Sequence, residues 1–129
     1  MDLTHPSLAS SSRRALAGLA VAVLLAAIAV LIARTGTGWW QLPAFGAGPD
    51  LALLLGVGGG LAPGQLHPRA VPAYNLVHRA WGPMLLGVAA VAGLVGPGLA
   101  VGALAWGLHV AVDRLAGYGL RDADGFQRA

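Results

Sequence analysis

Residues 15–33 read ALAGLAVAVLLAAIAVLIA, nineteen positions without one polar side chain. About 20 apolar residues in a helix cross the hydrocarbon core of a bilayer, so this run predicts a membrane span. Arg13 and Arg14 precede it and Arg34 follows. A secretory signal also opens on basic residues, but its apolar region is usually about 7 to 15 residues long, and no cleavage motif comes before Arg34. The whole chain has the same character. Of its 129 residues 57% are hydrophobic and 10% charged, where a soluble domain carries about 25% charged residues, and the mean hydropathy is +0.70. The net charge of +3 comes from scattered arginines with no basic face and no interleaved aromatics, which speaks against nucleic acid as a partner. The absence of cysteine excludes disulfides, thiolate metal sites and a cysteine nucleophile.

Beyond Arg34 a short turn leads to Trp39 and Trp40, an aromatic pair suited to a membrane interface, and to a second predicted span over residues 39–61. Pro49 and Asp50 interrupt it near its middle, while Gly56 and Gly60, four apart, allow helices to approach closely. Pro63, Gly64, His67, Pro68, Arg69 and Pro72 mark a turn-rich loop in which His67 reads as solvated. A third span, 72–95, carries Tyr74, Asn75, His78 and Arg79 in its first two turns. Gly96, Pro97 and Gly98 then make a tight break before a fourth span, 99–117. Trp81 and Trp106, inside spans, read as packing residues. The expected architecture is all-α: a cytoplasmic polar tail at 1–14, an integral membrane domain of four transmembrane helices over 15–120, and a short polar tail at 121–129. Arg13, Arg14, Arg69, Arg121 and Arg128 fall on one side and Arg34 alone on the other. The positive-inside rule therefore places both termini in the cytoplasm, at a plasma (inner) membrane.

The polar residues concentrate around WGLHVAVDRLAGYGL, residues 106–120. On a helix His109 and Asp113 are four apart and project from one side, one turn above the other. At about 1.5 Å per residue, Asp50 lies roughly 16 Å below the outer end of the second span, and His109 roughly 15 Å below that of the fourth. His78 lies roughly 10 Å in from the cytoplasmic end of the third, so all three share one slab of the membrane. An ionisable group at that depth costs roughly 2.5 to 3.5 kcal/mol on insertion scales, so it must be paired, wetted or used.

Trp39 and Trp40, the Pro49-Asp50 pair, Tyr74-Asn75 with His78, Trp106 with His109, Asp113-Arg114 and the string from Gly117 to Leu120 together resemble the domain-of-unknown-function 4260 family of small four-helix membrane proteins. The resemblance covers most of the chain from Trp39 to Phe126. Family members continue after a phenylalanine into Thr-His-Leu, where this chain has Gln127 and Arg128. The resemblance implies the four-helix architecture and the polar positions, and carries no activity.

Three readings of the polar residues follow. The one the residues favour is structural: Asp50 and Asp113 neutralise Arg79 and Arg114, with His78 and His109 hydrogen-bonded between helices. The pairing must run between spans, because Asp113 and Arg114, being adjacent, diverge by about 100°. In the second reading His78, His109 and Asp50 or Asp113 hold a divalent transition metal, zinc, iron or manganese, as in a metal-dependent membrane hydrolase. Three protein ligands would leave a place for water, the remaining aspartate would act as base, and Asn75 or Tyr74 would orient substrate. The third is proton or small-ion transport along intramembrane Asp and His groups, which with only four spans would need a homo-oligomer. The segment from Asp122 to Gly125 shares a few letters with a calcium loop and lacks its later ligands.

Overall fold

The computed structural model describes residues 8–128. It is all-α: α1 (Leu8–Thr35), α2 (Gln41–Ala47), a 3₁₀ segment at Gly48–Gly56, a 3₁₀ turn at Pro68–Ala70, α3 (Val71–Val77), α4 (Trp81–Val91) and α5 (Leu99–Ala116). The one β feature among the described residues is an isolated bridge between Arg121 and Gln127. The N-terminal tail expected at 1–14 lies partly outside the described residues, and from Leu8 onward it is already helix.

The helix α5 is the axis of the fold, with α1, α2 and α4 packed around it. Its buried residues, Val101, Gly102, Ala103, Ala105, Val110 and Ala111, are small. That composition brings backbones close, the packing mode of helices in lipid, where hydrophobicity alone does not drive association. α1 runs antiparallel to α5: Arg14 Nε donates to the Leu115 carbonyl at one end, and Gly38 meets Val101 at the other. α4 is also antiparallel to α5, with Gly82 against Trp106 and Gly87 against Ala103. α2 follows α5 in the same direction, Gln41 lying at Gly102 and Gly46 at His109.

Two helices, α1 and α5, are long and apolar enough to cross a membrane. The expected second and third spans are not continuous helices. Residues 39–61 form the seven-residue α2 and a nine-residue 3₁₀ segment, longer than the three or four residues such helices usually reach. Residues 72–95 break at His78, Arg79 and Ala80. Pro72 and Pro83 explain that break. Each sits in the first turn of its helix, where a missing N–H costs nothing, whereas a helix continuous through Pro83 would drive the proline ring into the Arg79 carbonyl. α5 ends where Gly117, at φ 93°, takes the left-handed conformation and the Tyr118 amide returns to the Asp113 carbonyl at 2.8 Å.

One polar side chain locks the start of α5. Gln41 is buried; its Nε2 donates to the Gly98 carbonyl and its Oε1 accepts from the Gly102 amide. The amide thus inserts into the first turn and satisfies both main-chain groups. Gln41→Leu leaves them unpaired, and the expected cost is about 2–4 kcal/mol, read as a lower melting temperature in detergent.

The short polar tail that begins at Arg121 is docked on the loop before α3 and on the chain just after α5. Leu66 N donates to the Gly125 carbonyl at 2.9 Å and Arg128 N to that of Leu120 at 2.9 Å, while Gln65 Nε2 donates to the Asp124 carbonyl. Asp122, with Asp124 and Phe126 amides on its Oδ1, closes a turn. His67 is likewise engaged, its Nδ1 accepting from the Arg69 amide.

Candidate metal centre

The break between α3 and α4 leaves His78 at the C-terminal end of α3, fully buried at 0% exposure. Its ring stacks on Tyr74, with centroids 3.9 Å apart and planes at 17°. His109 approaches from the middle of α5 and Asp113 from one turn further along the same face, while the 3₁₀ segment after α2 brings Asp50. His78 Nε2 and His109 Nε2 stand 3.1 Å apart. Asp50 Oδ1 is 3.5 Å from each, and Asp113 Oδ2 is 3.5 Å from His78 Nε2 and 3.7 Å from His109 Nε2. Two ligands on one tetrahedral ion, each held at about 2.0–2.1 Å, are separated by about 3.3–3.4 Å. Asp50, His78 and His109 form a group whose ligand atoms all lie within 4.8 Å of one another.

The outer nitrogens fix the chemistry of the inner ones. His78 Nδ1 lies 2.9 Å from the Tyr74 carbonyl and His109 Nδ1 2.7 Å from the Gly46 carbonyl. A carbonyl only accepts, so each Nδ1 carries a proton, and each Nε2 is left facing the two carboxylates. With both rings neutral, two lone pairs and two carboxylates face a common centre; with one ring also protonated at Nε2, that ring donates to the other imidazole or to a carboxylate. Backbone carbonyls on the outer nitrogens are the usual orienting shell of metal-bound histidine.

Exposure is graded around the centre. His109 and Asp113 side chains are 8% and 19% exposed, Asp50 53%. The centre is therefore open on the Asp50 side and closed by α3 and α5 on the other. A small apolar hollow of about 230 Å³ lies beside it, lined by Phe45, Pro49, Val77 and Trp106 among others. These are chain neighbours of Gly46, Asp50 and His78, and Trp106 lies one turn before His109.

The sequence profile described as "Domain of unknown function (DUF4260)" matches residues 15–129. The chain belongs to the DUF4260 family. No curated protein and no solved structure matches it.

The remaining expected site residues of this DUF4260 chain are placed differently. The pairing of Asp50 and Asp113 with Arg79 and Arg114 does not occur: all four ion pairs among the described residues are between aspartate and histidine. Arg114 spends its guanidinium on main-chain carbonyls, those of Tyr118 at 3.0 Å and His78 at 2.8 Å, and Arg79 is exposed. Asn75, expected to orient substrate, faces the tail instead. Its amide gives one hydrogen bond to the Arg121 carbonyl and takes one from the Arg121 amide, both 2.8 Å, as a neighbouring strand would. Tyr74 lies under His78 and beneath the Arg121 guanidinium, 5.5 Å from its ring, which makes it a support for the imidazole. Sequence reading missed Gln41 and Arg121. A lone amide directly after Trp39 and Trp40 was the available signal for the first; nothing local signalled the second.

Proposed function

We propose that this chain is a multi-pass integral membrane protein carrying a metal-dependent hydrolytic centre at membrane depth. α1 and α5 cross the bilayer, and the broken segments α2 with its 3₁₀ extension and α3 with α4 complete four passes. Irregular backbone at that depth is tolerated where it is buried in protein or lines a cavity, and broken helices commonly build mid-membrane sites. The wide exposure of large apolar side chains, among them Leu16, Leu19, Val23, Met84, Val88 and Val91, supports this reading, because soluble monomers rarely expose contiguous apolar surface on that scale.

The observation that carries the metal reading is the pair of Nε2 atoms 3.1 Å apart, facing two carboxylates, with both Nδ1 atoms held on backbone carbonyls. Asp50, His78 and His109 are the ligands, a nitrogen-and-oxygen set suited to zinc, iron or manganese. Three protein ligands leave a coordination position for water on the exposed side, and the ion would make that water nucleophilic near neutral pH. Asp113, whose Oδ2 lies 3.5 Å from His78 Nε2, would serve as base for that water and as acid for the leaving group. The apolar hollow beside Asp50 seats the substrate's hydrophobic part.

The test is elemental analysis of the membrane-extracted, purified protein. One divalent transition metal per chain is expected, absent from His109→Ala. A wild-type protein that holds no metal and takes up none from zinc, iron or manganese solutions would overturn the reading. In that case one doubly protonated histidine between the aspartates accounts for the contacts, and the centre is a structural or proton-carrying one.

A further inference from the structure

α1, α4 and α5 enclose a groove of about 1220 Å³, lined by apolar side chains along its length and by Arg13 and Arg114 at one end. Its walls include Leu16, Leu24 and Leu31 of α1 and Met84, Val88 and Val91 of α4; Ala103 and Gly107 of α5 belong to its floor. The groove exceeds the roughly 300–1,000 Å³ of small-molecule pockets and is a long channel rather than a cleft. The metal centre is not part of it: none of Asp50, His78, His109 or Asp113 lines it.

Four arginines lie, by their positions on α1, α5 and the start of α4, at the same end of the groove. Arg13 and Arg114 line it, Arg14 is anchored to the Leu115 carbonyl at 3.3 Å, and Arg79 is the chain neighbour of the lining residue Ala80. No arginine among the described residues has a carboxylate within ion-pair distance. Arginine matches the oxygens of phosphate with paired N–H donors, and basic pockets between transmembrane helices on the cytoplasmic side hold anionic lipid headgroups. A second copy of the chain fits less well. Copies in one bilayer share an orientation, so seating two grooves together would bring like-charged arginine ends to the same depth.

We infer that the α1/α4/α5 groove binds an anionic phospholipid, its acyl chains along the apolar walls and its phosphate on Arg13, Arg14, Arg79 and Arg114. This rests on α1 and α5 crossing the membrane and is independent of the metal. Because Arg114 also holds the His78 carbonyl, the bound headgroup sits one residue away from a proposed metal ligand.

The full chain, delipidated in detergent and offered phosphatidylglycerol or phosphatidylcholine of identical chains, tests this by native mass spectrometry. Wild type is expected to retain one phosphatidylglycerol and to prefer it strongly. The double variant R13Q/R79Q, which leaves both main-chain-bonded arginines in place, should lose roughly thirtyfold in that retention. Ala20→Phe, which fills the groove, should expel either lipid. Metal content should match wild type in both variants. Equal retention of the two headgroups by wild type would overturn the proposal without recourse to any variant. So would a lipid-free dimer, or phosphatidylglycerol retention unchanged in R13Q/R79Q. Headgroup preference kept in a protein that holds no metal would sink the hydrolase reading alone.

Discussion

Stripping the divalent ion with a chelator is expected to lower the melting temperature by roughly 10–15 °C, and Asp50→Asn should weaken metal affinity by at least about a hundredfold. The first figure follows from mass action. A ligand present at about a thousand times its dissociation constant stabilises by about 4 kcal/mol, and each kcal/mol moves the midpoint of a chain this size by a few degrees. Direct loss of a ligand exceeds the 10–100-fold cost of losing an outer-shell partner, which sets the second figure as a lower bound. Asp50 is the informative position because its side chain is half exposed, so replacing it leaves the buried packing intact. The metal-free melting temperature of Asp50→Asn should therefore equal that of the metal-free wild type. Calorimetric zinc titration together with differential scanning fluorimetry reads both quantities. Unchanged affinity in Asp50→Asn would remove this residue from the ligand set.

Gly125→Ala should be the most damaging single-methyl change in the described chain, at about 3–5 kcal/mol, where most substitutions cost 0.5–3. A Cβ at Gly125 would stand 1.7 Å from the Leu66 carbonyl oxygen and 2.8 Å from its carbon, and the residue sits at φ 95°. Both obstacles act together. The side chain clashes with main chain that cannot rotate away, and the left-handed backbone is itself unfavourable for alanine. The lost hydrogen bond from Leu66 then frees the segment that carries Arg121, and with it the clamp on Asn75 and the cover over Tyr74. Limited proteolysis should cut Gly125→Ala within residues 117–128 under conditions that leave wild type intact. Equal protease resistance would show that the tail is held elsewhere.

The two helices long and apolar enough to cross a membrane were the most legible part of this chain, because an uninterrupted apolar run specifies its own helix. The expected second and third spans read as continuous helices, and they are not. Pro49 was legible as an interruption, while averaged hydrophobicity passes over Pro83; in three dimensions a 3₁₀ segment begins beside the first, and the helix splits at His78 ahead of the second. Matching depth brought Asp50, His78 and His109 into one slab on paper, and the structure places their ligand atoms within 4.8 Å. What depth could not supply was partner choice. Whether Asp113 turns toward Arg114's neighbours or toward two imidazoles depends on side-chain direction around α5, which the adjacent positions only bracket. Asn75 was misread for a related reason: an amide one turn from a histidine looks like part of a site, and its true partner, the Arg121 backbone, lies 46 residues away.

The imidazoles of His78 and His109 are oriented by carbonyls of Tyr74 and Gly46, and main-chain oxygen is common to every amino acid. Substitution at Gly46 or Tyr74 should consequently leave the acceptor for each Nδ1 in place, since no codon change deletes a carbonyl. Relatives that differ at positions 46 and 74 can then preserve identical ring tautomers.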